Sequence, residues 1–146
     1  MIRRARREDV PAIVALLADD ALGRTRESPG DARYLEAFGA IDADPNQLLA
    51  VMEEGGAVLG TLQLSFIPGL SHRGAWRGEI EAVRIASASR GAGLGQQLIT
   101  WAIEQCRARR CTMVQLTTNR AREDAHRFYT RLGFIPSHVG FKLGLR

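Results

Sequence analysis

The chain has 146 residues, 45% of them hydrophobic, enough for one domain with a real core and too few for two ordinary ones. Lys and Arg number 20 against 16 Asp and Glu, a formal net charge of +4, and every basic residue except Lys142 is arginine, the side chain best suited to bidentate phosphate contacts. These charges are scattered rather than gathered into a tract, which leaves nucleic acid and a nucleotide cofactor with several phosphates as equally good partners, while Cys106 and Cys111 make no disulfide or zinc framework and no apolar run approaches a membrane span, so a cytoplasmic protein is expected.

In chain order, Ile2 to Arg7 reads as a first strand, and Asp9 as the N-cap of a helix whose apolar positions are Val10, Ile13, Val14, Leu16 and Leu17. Between Asp19 and Pro29 the pattern fails, so this stretch is the expected substrate-facing segment, and Asp31 to Phe38 resumes as a second short helix. Leu48 to Met52 and Val58 to Ile67 read as strands around the turn Glu53-Glu54-Gly55-Gly56. From Trp76 to Ala86 strict alternation predicts a central strand with Glu79, Glu81, Val83 and Ile85 on one face, and Ile80, Ala82, Arg84 and Ala86 on the other. Leu94 to Arg109 is helical, Met113 to Thr118 a strand, Ala121 to Leu132 a helix stopped by Gly133, and His138 to Leu145 a final strand.

The segment Arg90-Gly91-Ala92-Gly93-Leu94-Gly95 links the central strand to the long helix. Glycine lets the backbone turn sharply and approach a ligand, and the first amides of the following helix, at the positive end of its dipole, favour an anion. The glycine spacing is not that of a Rossmann loop, and no Gly-Lys-Ser/Thr makes it a P-loop. A diphosphate cradle is the functional reading, and a plain strand-to-helix turn the bland one.

Arg90, Gly93 and Gly95 fill the fixed positions of R/Q-x-x-G-x-G/A, and the stretch from Asn119 to Tyr129 followed by Leu132-Gly133-Phe134 supplies a second signature at the proper separation. With the order of elements, this resembles the GNAT superfamily of N-acetyltransferases over most of the chain. The resemblance implies an α/β (α+β) fold, one domain spanning 1–146, with a mixed, mostly antiparallel central sheet flanked by helices. It also implies acetyl-CoA as acyl donor and direct attack by a primary amine of a small molecule.

By the same resemblance, the backbone of Val83, Arg84 and Ile85 pairs with the pantetheine arm like an added strand. Arg90, Gly91, Ala92, Gly93, Leu94, Gly95 and Gln96 hold the diphosphate, and Asn119, His126 and Phe128 lie on the cofactor side. Asn119 reads equally well as a helix cap. Tyr129 matches the family's general acid toward the CoA sulfur, since a phenol with a pKa of about 10 stays protonated at neutral pH. Glu79 and Glu81 are the candidate bases, with a pKa raised by burial on the inner face of the central strand; spacing does not choose between them.

His72, His126 and His138 show no metal-ligand spacing, so no metal ligand is assigned, while ligands joined by the fold leave a divalent ion open. The pieces Asp44-Pro45-Asn46, Trp76 to Ile80, Asp124 to Tyr129 and Ser137-His138 are similar to bacterial aminoalkylphosphonate N-acetyltransferases. That similarity implies an amine with an acidic end, for which Arg24, Arg26, Arg73 and Arg77 are available, although residues 18–39 depart from the subfamily's pattern. Acetylation of a protein or peptide N-terminus or lysine, a non-catalytic acyl-CoA sensor, and a basic nucleic-acid-binding module stand as alternatives, and a homodimer is allowed.

Overall fold

The computed structural model describes residues 1–145, in two compact units, Met1–Gln115 and Leu116–Arg146. The first unit carries a five-stranded sheet of order β1 (Ile2–Arg4), β2 (Gln47–Glu54), β3 (Ala57–Pro68), β4 (Trp76–Ile85) and β5 (Met113–Gln115). Successive strands are antiparallel except β4 and β5, which run parallel, giving the mixed, mostly antiparallel sheet expected from the sequence. Its helices are α1 (Val10–Ala18), α2 (Gly23–Arg26), α3 (Arg33–Ala43), the single turn α4 (Ser71–Gly74) and α5 (Leu94–Ala108). The second unit contains α6 (Glu123–Arg131).

Period-two alternation divides the core between the two faces of the sheet. Leu62, Leu64 and Ile80 lie on the face covered by α5, against Leu98, Ile99, Ala102 and Cys106, all essentially without solvent exposure. Val51 lies on the other face in one cluster with Ala5, Val10, Ile13, Val14 and Phe38, which holds α1 and α3 there. The β2–β3 hairpin turns through Gly55 and Gly56, both with positive φ (58° and 82°), as a tight two-residue turn requires.

Asp9 does not cap α1 with its side chain. Its carboxylate instead accepts the Arg6 N–H at 2.7 Å and both ends of the Arg3 guanidinium at 2.7 and 3.0 Å, while Arg3 also pairs with Glu53 at 2.7 Å. The Arg3 hydrogen bonds hold the Asp9 carboxyl below the usual carboxylate range against the opposing effect of burial, with help from the Arg6 amide. Since the folded group is the stronger acid, its contribution is complete above the unfolded pKa of about 3.9 and is lost as pH falls toward the lower folded value. Asp9→Asn is expected to lower Tm by roughly 5 °C at pH 7. The gap between variant and parent should close below pH ~4; thermal melts at pH 7 and pH 3 measure it.

The two cysteines five residues apart have a structural reason. Arg110 ends α5 in a left-handed conformation (φ 63°), so that Cys111 N–H reaches Cys106 O at 2.9 Å and Arg110 N–H reaches Arg107 O at 3.0 Å. This is a Schellman closure, in which the residue after the turn packs on the last helical turn. Both thiols are free; burial pushes the Cys106 thiol up to about 12, which makes it inert as an acyl carrier.

Three expectations for the strands change. The first strand, expected to run to Arg7, ends at Arg4, because the chain turns into a 3-10 helix at Arg7–Asp9. The strand expected from Met113 to Thr118 ends at Gln115, and residues 138–145 carry no strand, because no neighbouring strand supplies them with ladder hydrogen bonds among the described residues.

Candidate active site

β4 is interrupted by a bulge. Glu81 lies opposite Gln63 and Arg84 opposite Thr61, so Ala82 and Val83 together face the single residue Leu62, and Ala82 takes a left-handed conformation (φ 54°). One extra residue reverses the alternation beyond it. Arg84 therefore joins the face of Glu79 and Glu81, and Ile85 turns to the α5 face opposite Gly60, the reverse of the uninterrupted pattern.

Arg84, half-buried, reaches Asp20 with its Nε 2.9 Å from Oδ2, while its NH1 donates to Val83 O at 2.9 Å. The Nε–H is not aligned for a hydrogen bond, so the Asp20 contact is ionic. Burial pushes the Asp20 carboxyl up, but the Gly23 N–H and the Arg84 and Arg26 charges together hold it below its ordinary range. Gly23 is obligatory here, since a Cβ would lie 1.9 Å from Leu17 O. Tyr34 continues the framework, donating its hydroxyl to Glu27 and accepting the Ser28 N–H, each at 2.9 Å. The segment expected to face the substrate is thus tied to the central strand.

The β5 side of β4 is paired only from Arg77 to Glu79. From Ile80 to Ile85, β4 pairs with β3 alone among the described residues, leaving one strand edge open where it runs toward the glycine segment. Ser87–Ser89 form a 3-10 turn, and Arg90 Nε donates to Ile85 O at 3.3 Å. Gly91 and Gly93 have φ of 86° and 78°, and nothing lies within 4 Å of where either Cβ would project. Gly93 is the N-cap of α5, whose first turn has neither a side-chain cap nor an acidic residue. Open backbone, uncapped helix dipole and the exposed Arg90 together suit a polyanion.

Glu79 and Glu81 project from the α1/α3 face of β4, with Arg77 two residues before Glu79 on the same face. The burial expected of the pair is only partial: Glu79 is half-buried and Glu81 exposed, because their strand neighbours on this face are polar. Glu79 sits opposite Ser65 on β3 and Gln115 on β5, and Glu81 opposite Gln63. Gln47 joins these neighbours, donating to Ser65 Oγ at 3.0 Å and accepting Gln63 Nε2 at 2.8 Å. This amide and hydroxyl set was not read from the sequence, where isolated glutamines carry no signal.

In the second unit, Tyr129 is fixed by the end of its helix. Phe134 N–H bonds Tyr129 O at 3.1 Å, Gly133 N–H bonds Thr130 O at 3.0 Å, and Gly133 has φ 100°, a complete Schellman motif. The Tyr129 ring lies edge-on between Phe128 at 5.1 Å and Phe134 at 5.7 Å. The Leu132-Gly133-Phe134 signature is therefore what orients the tyrosine. Asn119 caps a turn rather than the helix: its Oδ1 accepts the Ala121 N–H at 2.9 Å, and its carbonyl faces His126 Nε2 at 3.0 Å. α6 begins only at Glu123, after Arg122.

Of the arginines considered for an acidic substrate, Arg24, Arg26 and Arg73 are exposed, with Arg26 paired to Glu27 at 3.1 Å, and Arg77 is half-buried. His72 and Arg73 both lie in left-handed conformations in the β3–β4 turn (φ 53° and 62°). His138 Nδ1 contacts Ser137 Oγ at 2.6 Å. Among the described residues, no helix is long and apolar enough to cross a membrane.

An open stretch of the β4 edge followed by a glycine turn and an uncapped helix suits a phosphate-bearing ligand. The model of the Acetyltransferase (GNAT) family matches residues 10–134, running through both units, and the chain belongs to that family. It is 32% identical over 144 residues to the aminoalkylphosphonate N-acetyltransferase of Salmonella typhimurium, covering 99% of this chain and 90% of that protein. A solved transcriptional regulator from Bacillus halodurans is 45% identical with a TM-score of 0.97, covering 99% of each chain. A putative acetyltransferase from Agrobacterium tumefaciens is 28% identical with a TM-score of 0.90, again over 99% of each.

Proposed function

We propose that residues 1–146 act as one N-acetyltransferase domain that moves the acetyl group of acetyl-CoA to the primary amine of a small molecule by direct attack in a ternary complex. The observation that carries this reading is the open edge of β4 from Ile80 to Ile85, leading into the left-handed glycines of an uncapped helix. Backbone groups at Val83, Arg84 and Ile85 pair with the pantetheine amides. The loop from Arg90 through Gln96 takes the diphosphate, with Asn119, His126 and Phe128 on the cofactor side.

The amine nitrogen attacks the thioester carbonyl, a C–N bond forms, and the C–S bond breaks. Glu79 or Glu81 accepts the proton lost by the amine, directly or through water, and the Tyr129 hydroxyl gives a proton to the departing thiolate. The acceptor carries an acidic end, as the Salmonella relative's name indicates for its own substrate, and Arg77, on the same strand face as the glutamates, is the first candidate to bind it.

Thiol release from acetyl-CoA with a panel of aminoalkylphosphonates, other small amines and peptides tests this. Turnover confined to small amines is the expected result. Turnover confined to peptides would transfer the site to protein acetylation, and acetyl-CoA affinity with no thiol release on any amine would make the chain a sensor. Because the Bacillus halodurans relative is called a transcriptional regulator, affinity for duplex DNA is measured beside it; steeply salt-dependent binding without acetylation would replace this reading.

Gly93→Val is expected to raise the acetyl-CoA Kd at least tenfold, since the new side chain would occupy space that is open in front of the α5 amides. Isothermal titration measures it; an unchanged Kd would remove the loop from the binding site.

A further inference from the structure

The alternation of the β3–β4 ladder fixes which backbone groups of β4 point away from β3. Ala86 N–H bonds Leu59 O at 2.8 Å, so that pair is hydrogen-bonded, Gly60 and Ile85 are not, and Thr61 and Arg84 are again. The Arg84 amide therefore faces β3, and Val83 O, at the other end of the same trans peptide, faces the unpaired side of the strand. Onto that carbonyl the Arg84 guanidinium folds back, NH1 donating at 2.9 Å, while its Nε lies 2.9 Å from Asp20 Oδ2. The Arg84 side chain is 13% exposed, so these two oxygens, rather than water, are the main partners of its charge. Asp20 is held in turn by its other oxygen, which accepts the Gly23 N–H at the start of α2, where no Cβ fits beside Leu17 O.

Resting on the assignment of the β4 edge to the pantetheine arm, we propose that Arg84 is a positioning residue for the acyl donor, its side chain fixing Val83 O to meet a pantetheine amide, and that Asp20 acts through Arg84. A carbonyl oxygen has two lone pairs; the Arg84 bond takes one and leaves the second for the cofactor. Guanidinium is planar and rigid, so an ion pair at Nε sets the direction in which NH1 points, which the point charge of a lysine would not do. An anchor is needed here because Ala82, next to Val83, is a non-glycine residue in a left-handed conformation (φ 54°), a bulge geometry that costs energy and interrupts the ladder to β3. Asp20 also belongs to the segment between Asp19 and Pro29 expected to face the acceptor. The same pair thus ties the acceptor segment to the donor strand.

Calorimetric titration with acetyl-CoA, and in parallel with the phosphorylated ADP portion of CoA that lacks pantetheine, tests this. Arg84→Met is expected to raise the acetyl-CoA Kd roughly tenfold, through loss of one charge-assisted hydrogen bond, and to leave the Kd of the ADP portion within about a factor of two. Asp20→Asn keeps an acceptor for the Gly23 N–H and removes the charge. It is expected to raise the acetyl-CoA Kd about threefold alone and to add nothing to Arg84→Met, because it acts through the arginine. Should Arg84→Met fail to fold, the two-ligand comparison is made on Asp20→Asn, which is nearly isosteric. Equal weakening of both ligands would make the pair structural only, and tighter acetyl-CoA binding would make Arg84 a competitor for Val83 O; either result, an unchanged acetyl-CoA Kd, or additive effects of the two substitutions would overturn the proposal. A wild-type chain that binds neither ligand would overturn the acetyl-CoA reading itself, and the role of Arg84 with it.

Discussion

Tyr129→Phe is expected to lower kcat at least tenfold, about 1.4 kcal/mol in the barrier, while leaving acetyl-CoA affinity within a factor of two. The substitution removes one oxygen and keeps the ring. The edge-on contacts with Phe128 and Phe134 and the backbone bond from Phe134 all survive it, so the helix end stays intact. On the proposed mechanism the hydroxyl supplies the proton for the leaving thiolate, a group needed only as the C–S bond breaks, and the effect should therefore fall on kcat rather than on binding. Steady-state thiol release with the best amine of the panel, together with calorimetric acetyl-CoA binding, separates the two. Unchanged turnover with unchanged fold would take Tyr129 out of the mechanism.

The largest expected effect on stability belongs to a glycine beside Glu79 on β4 that faces α5, away from the candidate bases. Gly78→Ala places a methyl 2.2 Å from Cys106 Sγ, where the buried face of α5 crosses β4, and Leu64 Cδ1 closes the other side at 3.7 Å. Elsewhere in a strand this replacement is neutral or favourable, because glycine has more backbone freedom to lose. Here overpacking dominates, and urea unfolding should show a loss of about 2–3 kcal/mol. The cause can be isolated. Once Cys106→Ala removes the sulfur, the nearest remaining atom of residue 106 is Cβ at 3.5 Å, an ordinary contact. In that background Gly78→Ala is expected to cost less than about 1 kcal/mol, and the difference is the coupling energy of a double-mutant cycle. Equal costs in both backgrounds would refute the steric account.

Much of the site's scaffold was legible from local chemistry. The Gly55-Gly56 turn, the left-handed Gly93 at the start of α5 and Gly133 behind Tyr129 are positions where backbone conformation selects the residue, so residue type reports the conformation directly. Glu79 and Glu81 were correctly assigned to one strand face for a similar reason, since alternation is a property of any regular strand. Gly78, a glycine inside an alternating strand, signals close approach in general, but only α5 supplies the identity of Cys106 as the neighbour.

The face of Arg84 was not legible, because Ala82 is an unremarkable alanine and the bulge it occupies comes from the register between β3 and β4, a pairing of distant segments. The same holds for the exposure of Glu81 and for the Gln47–Ser65–Gln63 hydrogen bonds, which depend on which strands lie side by side. Residues 138–145 mark the boundary most clearly: their alternation is written in the chain, yet a strand exists only where a neighbour offers ladder hydrogen bonds. Glycine turns and the regular part of a strand's alternation follow from interactions a few residues long and were legible in composition and spacing alone. Which faces meet, where a ladder stops and how exposed a carboxylate is follow from contacts across tens of residues, and those emerged only when the folded chain set the segments against one another.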